Sequence, residues 1–319
     1  MRKIPVIIDT DPGIDDAMML IYAFANEQLD VKLVTTEAGN LSQAKTSYNA
    51  QALLSYLQVD VEIAKGLDHP ILRPLEVAED IHGVTGFGTI TFPEPTLPLS
   101  ERGAVAAMYA VLTESDEPMT IIATGPLTNV AALLLAYPEV KQHIAHISWM
   151  GGAAVGGNMS PTAEFNAYVD PHAVEIVFRS GVPMTMSGLD VTHKAYVTIP
   201  EVDRIRDINT PFAERVEKML TFYLANMHET PFHTANYSTT LRFHDLCAVI
   251  AVTHPHIFSG MDCYVTVALE GPAAGTTLVD YSAQSGREPN VHVLHTVDRE
   301  AFVQLFVEAV QKMNDRINQ

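Results

Sequence analysis

The feature that most narrows the folds open to this chain is its alternation of short apolar runs with helical stretches, starting at the N-terminus. Ile4–Ile8, Val31–Thr36, Val61–Ala64, Met119–Ala123, Ile144–Met150 and Pro183–Ser187 read as buried strands. Between them, Asp15–Asn26, Ser42–Leu57, Arg102–Thr113, Leu127–Ala136 and Pro171–Ser180 carry helical patterns. Parallel neighbours need long crossovers, so this rhythm predicts an α/β fold: a mostly parallel sheet flanked by helices on both faces. From about Ile199 the pattern changes. Helices over Glu201–Asp207 and Pro211–Met227 lead into the polar, aromatic segment HETPFHTANYSTTLRF, and another helix starts near Asp245. Strands at Tyr264–Leu269, Thr276–Asp280 and Asn290–Leu294 and a last helix from near Arg299 follow. With no Gly/Ser/Pro-rich linker and no repeat, the expectation is one domain over residues 1–319, with a helical and loop excursion near 200–245.

In open parallel sheets, ligands bind beyond the carboxyl ends of the strands. DTDPGIDD, TEAGN, ATGPLTN and WMGG follow the first, second, fourth and fifth expected strands, which converges them on a single site. The first cluster carries the chemical problem. Asp9, Asp11, Asp15 and Asp16 crowd a strand-to-helix turn bent by Pro12 and Gly13, with only Arg2 and Lys3 nearby along the chain. Buried together they repel one another. A hard cation with oxygen ligands would neutralise them, and Ca²⁺ accepts 6–8 oxygens in flexible geometry. The plainer alternative is that Asp15 or Asp16 caps the following helix. Neither EF-hand register nor a GxxxxGK[ST] loop is present. The DxD opening is shared with haloacid dehalogenase phosphatases, but Gly13 stands where those expect Thr or Val.

Charge limits the partners. Nineteen Lys and Arg against 38 Asp and Glu give a net charge of −19. Such a surface repels nucleic acid and anionic membranes. No apolar run approaches the roughly 20 residues that span a bilayer. The MRKIPVII start lacks a signal-peptide core, and Cys247 and Cys263 lack CxxC spacing. A cytoplasmic protein is expected.

The stretch DTDPGIDDA resembles the N-terminal signature of the inosine–uridine-preferring nucleoside hydrolase family. The likeness recurs in TTEAGN (35–40), IHGVTGFG (81–88), ATGPLTN (123–129), MGGAAVGGNMSPTAEFNAYVDP (150–171) and FHDLCAV (243–249), in the family's order. The resemblance implies hydrolysis of the N-glycosidic bond of small-molecule ribonucleosides on a Rossmann-like sheet with bound Ca²⁺. Carried over motif by motif, it implies that Asp11, Asp16, Asp245 and the Thr124 carbonyl hold the metal and that Asp11 is the general base. His244 would assist the leaving base, with His82 facing that base. Asn158 and Glu164 would meet the ribose 5′-hydroxyl, and Asp15, Asn40 and Asn166 the 2′- and 3′-hydroxyls. Met150 and Phe165 would touch ribose or base. A dimer or tetramer is an expectation from the family alone, and Asp9 is left with a supporting role.

FHDLC has Leu246 where the family commonly shows proline, and residues 227–243, where His228, His233 and Tyr237 lie, have no alignable counterpart. Trp149 is the only tryptophan, so no second indole could sandwich a purine, although Tyr223 or Tyr237 could partly substitute. Two other classes remain open. A Mg²⁺-dependent phosphatase would need a Lys or Arg cluster that the site motifs lack. A non-catalytic ribose- or nucleoside-binding module would have no reason to keep both Asp11 and His244. Base preference is not legible from these residues.

Overall fold

A computed structural model describes residues 2–226 and 240–319. Its centre is β1 (Ile4–Thr10), whose last five residues are buried because helices cover both faces of the sheet. The other strands of the main sheet are β2 (Leu29–Thr36), β3 (Glu62–Lys65), β4 (Met119–Ala123), β5 (Ile144–Met150), β6 (Met184–Ser187), β9 (Phe258–Val267), β10 (Thr277–Asp280) and β11 (Val291–Val297). These nine strands run in the order β10-β9-β11-β6-β5-β4-β1-β2-β3. Seven are parallel, from β3 across to β11, while β9 and β10 form an antiparallel edge. The mostly parallel α/β architecture expected from the sequence is therefore the observed one.

The connections decide where a site can form. From β1 the chain builds outward through β2 and β3, then returns to place β4 on the other side of β1. That reversal opens a crevice at the carboxyl ends of β1 and β4, where open α/β sheets take their ligands. Two helices aim their N-termini at it. Helix α1 (Ile14–Ala25) is buried from Ile14 to Ala23 and carries Asp15 and Asp16 in its first turn. Helix α11 (His244–Thr253) packs beside it and begins with His244 and Asp245.

The described structure departs from the expected strands in two places. Strand β9 begins at Phe258, six residues before the expected Tyr264, because its first half is exposed and lacks apolar alternation. Backbone pairing to β11 holds it regardless. A small antiparallel sheet, β7 (Tyr196–Thr198) with β8 (Thr240–Arg242), was not anticipated, since three residues carry no period. This pair matters because β8 delivers Phe243, His244 and Asp245 to the crevice.

Phe243 is fully buried and meets Phe306 of α12 (Arg299–Ile317) edge to face, ring centroids 4.7 Å apart. One apolar contact thus anchors the start of α11 to the helical layer. Truncating Phe306 to alanine is expected to cost about 3–5 kcal/mol. Chemical denaturation checks this, and a loss near zero would show that the contact does not hold α11 in place.

Candidate active site

The crevice holds a cavity of about 320 Å³. Its walls come from the ends of α1 and α11, the Val77–His82 segment ending in the short α3 (Glu79–His82), the 158–166 segment, and Tyr223 of α10 (Pro211–Asn226). A larger open cleft of about 510 Å³ lies at the opposite end of the sheet, among Lys3, Asp60, Lys312 and Arg316. It contains none of the expected site residues. Among the described residues lining the crevice, no Lys or Arg occurs, while Asp15, Asp80, Glu164 and Asp245 do.

Beneath the cavity lies a stack of buried acids. Asp9, Asp11, Asp16 and Glu37 have no exposed surface, and Asp15 and Asp245 are at most 5% exposed. Strand register explains the deepest one: Asp9 stands opposite Thr35 of β2, whose hydroxyl donates to its Oδ1 at 2.6 Å, beside Asn129 Nδ2 at 2.9 Å. Asp16 is the best served. Thr10 and Thr124 hydroxyls donate to its Oδ1, at 2.5 and 3.0 Å, and Gly13 N and Asn40 Nδ2 to its Oδ2, at 2.9 and 3.0 Å. The bond from Gly13 is a helix cap, so the capping role weighed for these aspartates belongs to Asp16. Asp11 takes the Asn40 amide on Oδ2 at 2.6 Å. Gly39 has to be glycine, because a Cβ there would collide with that same carboxylate.

These neutral donors do not cancel the charge. Burial, then repulsion from Asp16, lifts Asp15 to about 8, and the same two causes hold Asp11 well above the carboxylate range. Asp245 is raised by burial and by Asp15, and Glu37 by burial and by Asp9. Asp9 is pushed up to about 6, mainly by burial. Asp9 Oδ2, Asp11 Oδ1, Asp15 Oδ1 and Glu37 Oε1 are buried without a hydrogen-bond partner, a state that demands an explanation. Oxygens of Asp15, Asp16 and Asp245 lie within 4.8 Å of one another and could hold a metal ion. The donor set is all oxygen and strongly anionic, which fits a hard cation. Asp15 belongs to this tight group, whereas Asp11 stands at its margin.

The remaining expected residues fall around the same cavity. Asn166 Nδ2 donates to the carbonyls of Thr124 and Met150, at 2.9 and 3.0 Å. Asn158 Oδ1 accepts from Phe165 N at 2.8 Å. Glu164 caps α6 (Phe165–Val169), accepting backbone N–H bonds from Gly152, Asn166 and Ala167, yet burial raises its carboxyl to about 7. Asn40, Met150 and Phe165 line the wall. Trp149 does not: it is fully buried against Phe178 and donates to the Gly125 carbonyl. Leu246, where the family's proline was expected, is buried within α11.

His82 and His244 also line the cavity. The Ile14 amide donates to His82 Nδ1 at 3.1 Å, and burial drives this imidazole down to about 4. It is therefore neutral at pH 7, with its proton on Nε2. A Cβ on Gly13 would sit 2.6 Å from the same Nδ1, so Gly13 makes room for the ring. His244 Nδ1 bonds the Thr192 hydroxyl at 2.8 Å. His228, His233 and Tyr237, named in the sequence as candidates, lie outside the described residues.

Three further neighbours belong to the site: Tyr223, named in the sequence only as a stand-in for a second indole, and His193 and Glu37, which were not named as site residues. Tyr223 stacks on His82 with ring centroids 5.6 Å apart, and burial, with Asp15 and Asp245 nearby, holds its phenol well above the ordinary value. His193 lies 5.9 Å from His244, ring to ring. Glu37 is the third, and its signal was visible: an acid closing the apolar run of β2. His193 had none, since it falls between the expected elements and in no motif.

An α/β sheet with a carboxylate-floored, cation-competent cavity at its topological switch point and three histidines on the wall fits a hydrolytic enzyme. The family model for the inosine-uridine preferring nucleoside hydrolase matches residues 6–304. The pyrimidine-specific ribonucleoside hydrolase RihA of Enterobacter sp. (strain 638) is 41% identical over 317 residues, covering 98% of this chain and 99% of that protein. RihA of Salmonella typhimurium (strain LT2) is 41% identical over 310 residues, covering 97% and 98%. Among solved structures, a purine-preferring ribonucleoside hydrolase from Gardnerella vaginalis superposes with a TM-score of 0.89 at 30% identity, over 97% of this chain and 98% of that one. The chain belongs to the inosine–uridine-preferring nucleoside hydrolase family, whose reaction is hydrolysis of ribonucleosides.

The raised acids make a prediction about metal-free protein. Between pH 6.5 and 8 the folded state keeps protons on Asp15 and Glu164 that the unfolded chain has already lost. Stability should therefore fall as pH rises through that window. His82, lowered from 6.5, contributes the opposite trend only below it. Melting temperature after chelation is expected to drop from pH 6.5 to 8, and added Ca²⁺ to restore more at the upper end. A flat or rising profile without metal would contradict it.

Proposed function

We propose that this chain is a single-domain, Ca²⁺-dependent ribonucleoside hydrolase in which the buried carboxylate floor serves both metal and reaction. The observation that carries the reading is the set of buried, partnerless acid oxygens beneath a cavity lined by no Lys or Arg among the described residues. Asp11, Asp16, Asp245 and the Thr124 carbonyl would hold the ion, with Asp15 beside them. When bound, the cation neutralises these acids and lowers the pKa of a coordinated water.

The protein's own groups then divide the work. Asp11 takes the proton of the attacking water, and its unpartnered Oδ1 is the atom free to do so. Asp15, Asn40 and Asn166 meet the 2′- and 3′-hydroxyls, and Asn158 and Glu164 the 5′-hydroxyl. Asn40 and Asn166 commit their amide nitrogens to Asp16 and to the Thr124 carbonyl, which leaves each Oδ1 to accept from sugar. Met150 and Phe165 pack on ribose or base. His244 gives a proton or hydrogen bond to the departing base, and His82, neutral and carrying Nε2–H, faces it. An acidic cavity favours the oxocarbenium-like transition state, and base and acid on opposite faces match the inverting scheme.

Two RihA relatives at 41% identity are named pyrimidine-specific, so pyrimidine ribonucleosides are the proposed physiological substrates, in nucleoside salvage. The remaining features are proposed from the family and the composition: a cytoplasmic homo-oligomer, dimer or tetramer, that acts on neither nucleic acid nor membrane. No described helix is long and apolar enough to cross a membrane.

The test is release of reducing ribose from uridine, cytidine, inosine and adenosine, with and without chelator. Uridine and cytidine should turn over fastest and chelator should stop them; release from none would end the hydrolase reading for this chain. Asp11→Ala should abolish turnover while ribose still binds, and unchanged turnover would remove Asp11 as the base. Because the sugar contacts are buried acceptors, 2′-deoxyuridine should lose about 10⁴-fold in kcat/KM against uridine. Comparable rates would refute that assignment.

A further inference from the structure

Thr192 ends α8 (Leu189–Thr192), a single turn following β6, and it is fully buried. Fifty-two residues separate it from His244, yet its Oγ1 lies 2.8 Å from His244 Nδ1. The meeting is fixed by backbone on both sides. Leu189 N donates to Gly152 O at 3.0 Å, which ties α8 to the loop after β5. Ala195, three residues past Thr192, accepts from Phe243 N at 3.4 Å, and β7 then pairs with β8 from Tyr196↔Arg242 onward. The chain therefore arrives at Thr192 and leaves through β7 along the strand that delivers His244.

We infer that Thr192 is a positioning residue for the leaving-group step. Its hydroxyl engages the Nδ1 edge of His244 and so presents the Nε2 edge to the nucleobase in the cavity. This rests on the proposed role of His244. The chemistry of the partner supports it. The two ring nitrogens face apart, and with Nδ1 held by a buried side chain, Nε2 is the nitrogen able to reach a ligand in the cavity His244 lines. A hydroxyl both donates and accepts, so it holds Nδ1 whether or not that nitrogen carries a proton. A backbone carbonyl could only accept, and a carboxylate would add another negative charge to an already anionic site. Thr192 thus gives His244 a positioning contact from a residue that is not one of the metal-binding acids.

The test separates positioning from mere structure by changing the leaving group. Wild type, Thr192→Val, Thr192→Ser and His244→Ala are compared on the nucleoside that turns over fastest and on 4-nitrophenyl β-D-ribofuranoside. The nitrophenolate leaves without needing a proton. Misaiming a general acid should lower kcat on the nucleoside by about 10²-fold for Thr192→Val, with KM changed by less than about 3-fold. Turnover of the nitrophenyl riboside should stay within about 3-fold of wild type, and Thr192→Ser should restore most nucleoside turnover. Equal losses on both substrates would mark Thr192 as structural only and overturn the inference. So would full nucleoside activity in Thr192→Val beside a crippled His244→Ala, which would leave the role of His244 standing. Unimpaired His244→Ala would instead remove that role, and the inference with it.

Discussion

The constraint on which the rest depends is electrostatic: carboxylates buried side by side at the carboxyl ends of parallel strands. Asp9, Asp11, Asp16 and Glu37 have no contact with solvent, and among the described residues no Lys or Arg lines the cavity above them. Desolvation and mutual repulsion each disfavour the ionised forms. The fold meets part of this with neutral donors. Thr10, Thr35, Thr124, Asn40 and Asn129 all direct hydroxyl or amide hydrogens at acid oxygens. The positive end of α1 adds to them, since Asp15 and Asp16 lie in its first turn. Several acid oxygens still lack a partner, and a cation is the physical completion of that arrangement.

That solution shapes the sugar end of the site. Each asparagine near the floor spends its NH₂ on the protein: Asn40 on Asp16, Asn166 on the carbonyls of Thr124 and Met150. What these two leave toward the cavity are acceptors, their amide oxygens, beside the carboxylates. Such a wall suits a ligand rich in hydroxyl donors and disfavours phosphate, which brings negative charge and offers no donors. The geometry that makes the floor stable is therefore also what would make it read ribose, and it gives no support to a phosphatase.

Much of the fold was legible because its strands are short apolar runs closed by chemically distinctive turns. β1, β2, β4 and β5 were located within about two residues, and the clusters after them do converge. Legibility failed where tertiary contact overrides pattern. The exposed first half of β9 is held by its pairing to β11, and β7 and β8 are too short to show a period. Within the site, acids and asparagines announced themselves through motifs. Tyr223 was named only as a stand-in for a missing indole, and Thr192 and His193 not at all, because their relevance comes from what the fold places beside them: Asp15 and His82 for Tyr223, His244 for the other two.

The two ends of the cavity answer to different demands. The acid floor is built from the ends of β1, β2 and β4, where strand register and buried hydrogen bonds leave little freedom. A Cβ on Gly39 or Gly125 would already press on Asp11 or Glu37. The base end is assembled from the α3 segment, α10 and the start of α11, all joined by connecting segments. Loops tolerate change that strand ends do not. This agrees with relatives named pyrimidine-specific at 41% identity and purine-preferring at 30% identity both matching nearly the whole chain. The β7–β8 pair, short and easily overlooked, serves that separation, because it holds the chain leading into His244 beside the chain that leaves Thr192, whose hydroxyl meets the imidazole.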